Sequence, residues 1–126
     1  MKLLYEDLSA KIIGAMFKVY NELGYGYQEK EYGNGLAEEF KIVGLSYKRE
    51  LCAQLYYAEK LIRRYFLDFL VEDKVVVELK VANQIYKQHF TQVIQYLQKN
   101  NIKLGLILAI TPSGVLVKRV INERSV

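Results

Sequence analysis

One stretch restricts the folds open to this chain more than any other: Phe66-Leu67-Asp68-Phe69-Leu70-Val71-Glu72-Asp73-Lys74-Val75-Val76-Val77-Glu78-Leu79-Lys80-Val81. Two runs rich in β-branched and aromatic residues are separated by the charged tripeptide Glu72-Asp73-Lys74, the pattern of a β-hairpin. Side chains alternate along a strand, so Glu78 and Lys80 share one face while Val77, Leu79 and Val81 share the other. A three-residue loop at 72–74 sets Val71 opposite Val75 and, counting back, Asp68 opposite Glu78. Opposed side chains bring their β-carbons to about 5 Å. A two-residue loop would move Asp68 to the other face. The register therefore decides whether two carboxylates and an ammonium meet.

Two carboxylates so close repel each other unless a cation lies between them or one keeps its proton. Oxygen ligands of this kind suit a hard ion such as magnesium, which takes one or two carboxylates and several waters. Such an ion polarises a phosphoryl oxygen and lowers the pKa of water, and Lys80 is placed to orient that water. The hairpin taken alone equally fits an outer face charged for solubility, since strands with Glu and Lys outward are ordinary.

At 126 residues with 52% hydrophobic and 25% charged residues, the chain reads as one globular domain spanning 1–126, with a core that needs no disulfide. Cys52 is the single cysteine and His89 the single histidine, which excludes an internal disulfide and a Cys/His zinc site within one chain. The net charge of +4 admits a nucleic-acid partner without requiring one. Acidic residues follow Met1 too soon for a signal peptide. The longest apolar run, Leu104–Ile110, is too short to span a membrane. The expectation is a cytoplasmic protein.

Leu8, Ile12, Ala15, Met16, Val19 and Leu23 recur at helical spacing and predict a helix over 6–23, stopped by Gly24. A second helix is expected at about 28–43, weakened by Gly33 and Gly35 at roughly 1 kcal/mol each. Strands are expected at Tyr47–Glu50 and Ala53–Tyr57, with one bent strand as the alternative reading. A turn at Ala58-Glu59-Lys60 leads to Leu61–Val71 and then Val75–Val81. A third helix over about 84–99, a strand Lys103–Ile110, the turn Thr111-Pro112-Ser113-Gly114 and a strand Val115–Ile121 complete the order α-α-β-β-β-α-β-β. That order predicts an α/β domain with a mixed sheet, in which the unit 75–110 forms a right-handed parallel crossover.

On the third helix His89, Gln92, Tyr96 and Lys99 fall on one face, with Phe90, Val93, Ile94 and Leu97 expected on the buried side. Ligand sites gather at strand ends in such crossovers, so Gln92 and Tyr96 are candidates for contact with a phosphate or a metal-bound water. A solvated polar face with Tyr96 partly packed explains them as well. His89 reads as a general base or as a surface residue and secondary donor. Glu29 sits in the first turn of the second helix, where the helix dipole alone favours a carboxylate. Cys52 is expected to be half-buried and structural, with no partner to activate it.

Asp68 followed by Glu78-Leu79-Lys80 resembles the D…(D/E)xK signature of the PD-(D/E)xK nuclease superfamily. Gln92-x-x-x-Tyr96 resembles the motif that follows it in RecB-like exonucleases. Gly26-Tyr27-Gln28-Glu29-Lys30-Glu31-Tyr32 is similar to the G-x-x-E-x-x-Y signature of the GxxExxY family, a bacterial and archaeal branch. The resemblance covers nearly the whole chain and implies a restriction-endonuclease-like mixed β-sheet flanked by helices. It further implies that Asp68, Glu78 and the backbone carbonyl of Leu79 ligate Mg2+ or Mn2+, that Glu29 completes the acidic cluster, and that Lys80 activates the attacking water. Gln92, Tyr96 and His89 would then serve the phosphate end. Leu67 stands where the signature has Pro, which removes no ligand.

The function so implied is metal-dependent hydrolysis of nucleic-acid phosphodiester bonds, DNA foremost, with a homodimer as one way to cut both strands. The rival is a nuclease-fold accessory module that binds nucleic acid or protein without cutting. A third reading makes the Tyr-rich surface of Tyr25, Tyr27, Tyr56 and Tyr57 an oligomer interface.

Overall fold

The computed structural model describes residues 3–123. Its order is α1 (Glu6–Leu23), α2 (Glu29–Ile42), β1 (Tyr47–Tyr57), β2 (Lys60–Val71), β3 (Val75–Val81), α3 (Lys87–Asn100), β4 (Leu104–Thr111) and β5 (Gly114–Ile121). The five strands form one mixed sheet in the order β1-β2-β3-β4-β5. Only β3 and β4 run parallel, because they alone are joined through a helix rather than a tight turn.

The sheet separates two cores. Ile12, Met16, Tyr32, Leu36 and Phe40 of α1 and α2 pack against Val75, Val77 and Leu79 on one side. Val93 and Leu97 of α3 pack against Val76, Ile107 and Leu67 on the other. β4 is buried from end to end, as a strand covered on both faces must be. α1 stops at Gly24, whose φ of 76° is left-handed and whose N–H returns to the Tyr20 carbonyl.

Gly33 and Gly35 do not loosen α2. A β-carbon on Gly35 would lie 3.0 Å from Val19 Cγ1, and one on Gly33 3.0 Å from an Arg49 guanidinium nitrogen. Glycine there lets α2 close onto α1 and onto β1, which offsets its low helix propensity. Gly105 of β4 plays the same part under α3, where a β-carbon would come within 2.7 Å of Val93 Cγ1.

β1 is one bent strand, and the bend is at Glu50, whose φ of 57° is left-handed. The pairing runs Arg49↔Phe69 and then Leu51↔Leu67, leaving Glu50 and Asp68 out of the ladder. Leu67 and Phe69 should share a face by alternation, yet Leu67 joins the α3 core and Phe69 the α1–α2 core. The kink turns β2 over at Asp68. Beyond it, β1 and β2 continue as a two-stranded arm that crosses α3, tied to it by the Tyr65 hydroxyl donating to the Gln92 carbonyl at 3.4 Å.

Several boundaries and environments differ from expectation. Lys60 opens β2 rather than closing the turn, because Ala58 and Glu59 alone, both left-handed, make the reversal. α3 starts at Lys87, not near 84, since the Ala82 N–H still reaches across to the Ile110 carbonyl and extends the chain. Phe90 is 36% exposed while His89 is 8% exposed; with the arm lying across it, α3 buries a face rotated toward His89 and Val93. Cys52 is exposed, not half-buried, because it lies on the outer side of the arm opposite Phe66.

Candidate functional site

The hairpin register holds as far as the sheet is regular: Val71↔Val75, Leu70↔Val76 and Phe69↔Val77 are partners. One step further the ladder ends, because β2 kinks at Asp68. The Asp68 carboxylate takes over there, accepting the Leu79 N–H at 2.7 Å. That N–H is the one a regular ladder would pair with Leu67. Asp68 is thus both a carboxylate beside Glu78 and the fastening of β2 to the end of β3.

Glu78 is 2% exposed. Burial pushes its carboxyl up to about 9, with a hydrogen bond and charge from Asp68 adding to the rise and the Lys80 ammonium opposing it. Lys80 Nζ stands 3.5 Å from Glu78 Oε2. A glutamate so deeply buried beside another carboxylate is not the charged outer face of an ordinary hairpin, which would be solvated. Such a raised value favours the protonated form of Glu78 in the absence of a cation.

Glu29 approaches from the α2 side. The turn before it is held by Tyr32, fully buried, whose hydroxyl donates to the Gly24 carbonyl at 2.6 Å and lies 3.4 Å from the Tyr27 N–H. Gly26 supplies a φ of 122°. Glu31 closes the helix start by accepting the Gln28 N–H at 3.0 Å. This local structure sets Glu29 over the end of β3, with its carboxylate 3.4 Å from the Val81 N–H. Burial raises its pKa, Lys80 lowers it and Asp68 raises it, so all four ionisable groups lie within electrostatic reach. Neither the anchoring role of Tyr32 nor the need for Gly33 was visible as spacing alone.

Among the described residues, no three His, Cys, Asp or Glu side chains converge as a ready ligand group. Asp68 and Glu78 do converge, and Glu29 faces the Val81 backbone instead of joining them. Two carboxylates with backbone and water oxygens are enough for magnesium and too few for zinc. A cation replacing the Glu78 proton would relieve the repulsion between them, so this donor set fits a hard divalent ion.

α3 divides its expected residues. His89 caps its own helix: Nδ1 accepts the Tyr86 N–H at 3.3 Å, while burial and the Lys80 charge lower its pKa. Its lone pair is therefore engaged in the helix start. His89, Gln92 and Lys80 line a groove of about 500 Å³ between α3 and the arm, together with Arg63, Tyr65 and Lys87. No carboxylate is among the residues lining it. Tyr96 lies away from this groove, packed into the α3 core, and burial raises its pKa. Arg63 and Lys87 went unnoticed in the sequence because they come from distant elements that meet only once the arm folds over α3.

A family model described as the PD-(D/E)XK nuclease superfamily matches residues 6–120. No curated protein matches the chain. The crystal structure of SSO0001 is similar over 90% of this chain and 76% of that one, with a TM-score of 0.53 and 13% sequence identity. At that identity the likeness is one of fold.

Proposed function

This chain belongs to the PD-(D/E)XK nuclease superfamily, and we propose that it is a metal-dependent phosphodiesterase acting on nucleic acid, DNA foremost, in the manner of the GxxExxY branch. One observation carries the reading: the Asp68–Glu78 pair, with Glu78 2% exposed, sits beside Lys80, which itself lines a groove together with Arg63 and Lys87. A structural ion pair gives no reason to bury a glutamate beside a second carboxylate.

In this reading Asp68 and Glu78 hold Mg2+ or Mn2+, with the Leu79 carbonyl as a further ligand. A bound divalent ion would polarise the scissile phosphate and make water a better nucleophile at neutral pH. To hold such an ion Glu78 would have to be ionised, so occupancy would depend on pH. Lys80 orients the attacking water and offsets the charge that develops on the phosphoryl oxygens. Asp68, bonded to the Leu79 N–H, keeps the ligand strand in place. Glu29 tunes the field at Lys80 from the far side, and Gln92 steadies the phosphate. The whole of 1–126 acts as one domain, with a homodimer able to serve two strands. Among the described residues no helix is long and apolar enough to cross a membrane; the cytoplasm is the setting we propose.

The accessory-module reading draws on Glu29 bonding to the backbone rather than completing a third side-chain ligand. Incubating plasmid, linear duplex and single strands with manganese, magnesium or EDTA separates the two. Cutting that needs metal and is lost in Glu78→Ala supports the enzyme; metal binding without cutting of any substrate supports the module.

A further inference from the structure

We propose that the groove between the β1–β2 arm and α3 holds one strand of a polynucleotide, so that this protein engages single-stranded segments in preference to intact duplex. The inference rests on the nucleic-acid reading above and adds the form of the substrate. Lys80 lies at one side of the groove and its Nζ stands 3.5 Å from Glu78 Oε2, so the groove adjoins the candidate site through Lys80.

The size of the groove argues for a strand. At about 500 Å³ it falls within the range of pockets that take a small ligand, roughly 300–1,000 Å³, a size that suits a flipped-out or single-stranded nucleotide. Its walls are fixed. Tyr65 donates to the Gln92 carbonyl at 3.4 Å, and the Lys99 ammonium stands 5.4 Å from the Tyr56 ring.

The chemistry argues the same way. Arg63 from the arm and Lys87 from the first turn of α3 both line the groove. Their charges suit a phosphodiester backbone, and no lining residue is acidic. Gln88, Gln92 and Gln95 follow at helical spacing along one wall, each offering both a donor and an acceptor to an unpaired base edge. Tyr65 adds a ring, and Tyr56 and Tyr57, 50% and 75% exposed, carry aromatic surface on along the arm. Aromatic faces beside a cationic track are how proteins hold single strands regardless of sequence, each stacked base contributing about 1–3 kcal/mol.

The test measures binding with EDTA present, so that no strand is cut. Fluorescence anisotropy follows a labelled strand of about 12 nucleotides, a length in the range bound by single-strand modules, and the same strand annealed to its complement. Arg63→Ala and Lys87→Ala remove groove charges. Arg64→Ala, on the opposite side of the same strand and paired with Gln54, removes a matched charge outside the groove. Circular dichroism confirms that each variant is folded. The expected result is single-strand affinity at least fivefold above duplex, lost about fivefold or more in each groove variant with the salt slope falling by about 0.7 per phosphate contact removed. Arg64→Ala should change it less than about twofold, since it leaves the track intact. Duplex bound as tightly as single strand, or Arg64→Ala as damaging as Arg63→Ala, would overturn the groove assignment and leave the nuclease reading standing. Failure to bind DNA or RNA in any form would overturn both. An Arg63→Ala protein that loses self-association in sedimentation but keeps its single-strand affinity would give the groove to a second copy instead.

Discussion

Replacing Glu78 by Gln should make the metal-free protein more stable, and by an amount that depends on pH. Gln copies the shape of protonated Glu and, like it, can donate a hydrogen bond to Asp68. The carboxyl of Glu78 is raised from an ordinary 4.5 to about 9. Below 4.5 the group is protonated whether the chain is folded or unfolded and has no effect on stability. As pH rises from there toward 9, the unfolded chain releases the proton while the folded one retains it, so the folded state loses ground at about 1.4 kcal/mol per pH unit. At pH 7 the accumulated deficit comes to about 3 kcal/mol, an upper bound because a buried site relaxes when it ionises. For a domain of this size that corresponds to a rise in Tm on the order of 10 °C in Glu78→Gln. Thermal melts by circular dichroism in EDTA from pH 4.5 to pH 8 would show it: the two proteins melting together at the acid end and separating as pH rises. Manganese should then stabilise the wild type, by about 2.7 kcal/mol at a hundredfold excess over its Kd, and leave Glu78→Gln nearly unmoved. Melting curves that stay parallel across pH, or a variant less stable than wild type at pH 8, would refute the argument that the carboxylate pair is strained.

Two further outcomes follow from the packing. His89→Gln should keep near-normal cleavage, because Gln also accepts the Tyr86 N–H at a helix start, whereas His89→Ala should lose about 1 kcal/mol in chemical denaturation; a loss of turnover in His89→Gln with unchanged stability would instead make His89 a general base. Gly105→Ala should cost about 1–3 kcal/mol in urea unfolding, since its β-carbon would stand 2.7 Å from the buried Val93 Cγ1, and a neutral result would mean that α3 is free to lift from β4.

Much of this architecture could be read from the sequence because local signals agreed with the tertiary solution. The periodicity of Ile12, Met16 and Val19 located α1, and the 72–74 loop fixed the register that brings Asp68 toward Glu78. What escaped was long-range. The face change at Asp68 depends on a left-handed Glu50, and nothing in a Glu marks it for that conformation. Gly33, Gly35 and Gly105 read as weak helix or strand positions until the side chains they admit are known. His89 lines the groove with Gln92 and also accepts the Tyr86 N–H of its own helix start, and Tyr96 is partly packed against the α3 core, as the solvated-face alternative has it. Asp68, Glu78 and Lys80 were legible because the hairpin is local; Arg63 and Lys87 were not, because the arm must first fold back.

The central claim is that Asp68 and Glu78 hold a divalent ion for hydrolysis of a phosphodiester. Cleavage of labelled single-stranded and duplex DNA with manganese, by wild type and by Glu78→Gln, tests it most directly, because the variant is expected to be at least as stable as its parent. The account predicts that wild type cuts in manganese and not in EDTA, and that the folded, stabilised variant does not cut. Equal cutting by both proteins, or cutting that persists in EDTA, would contradict it.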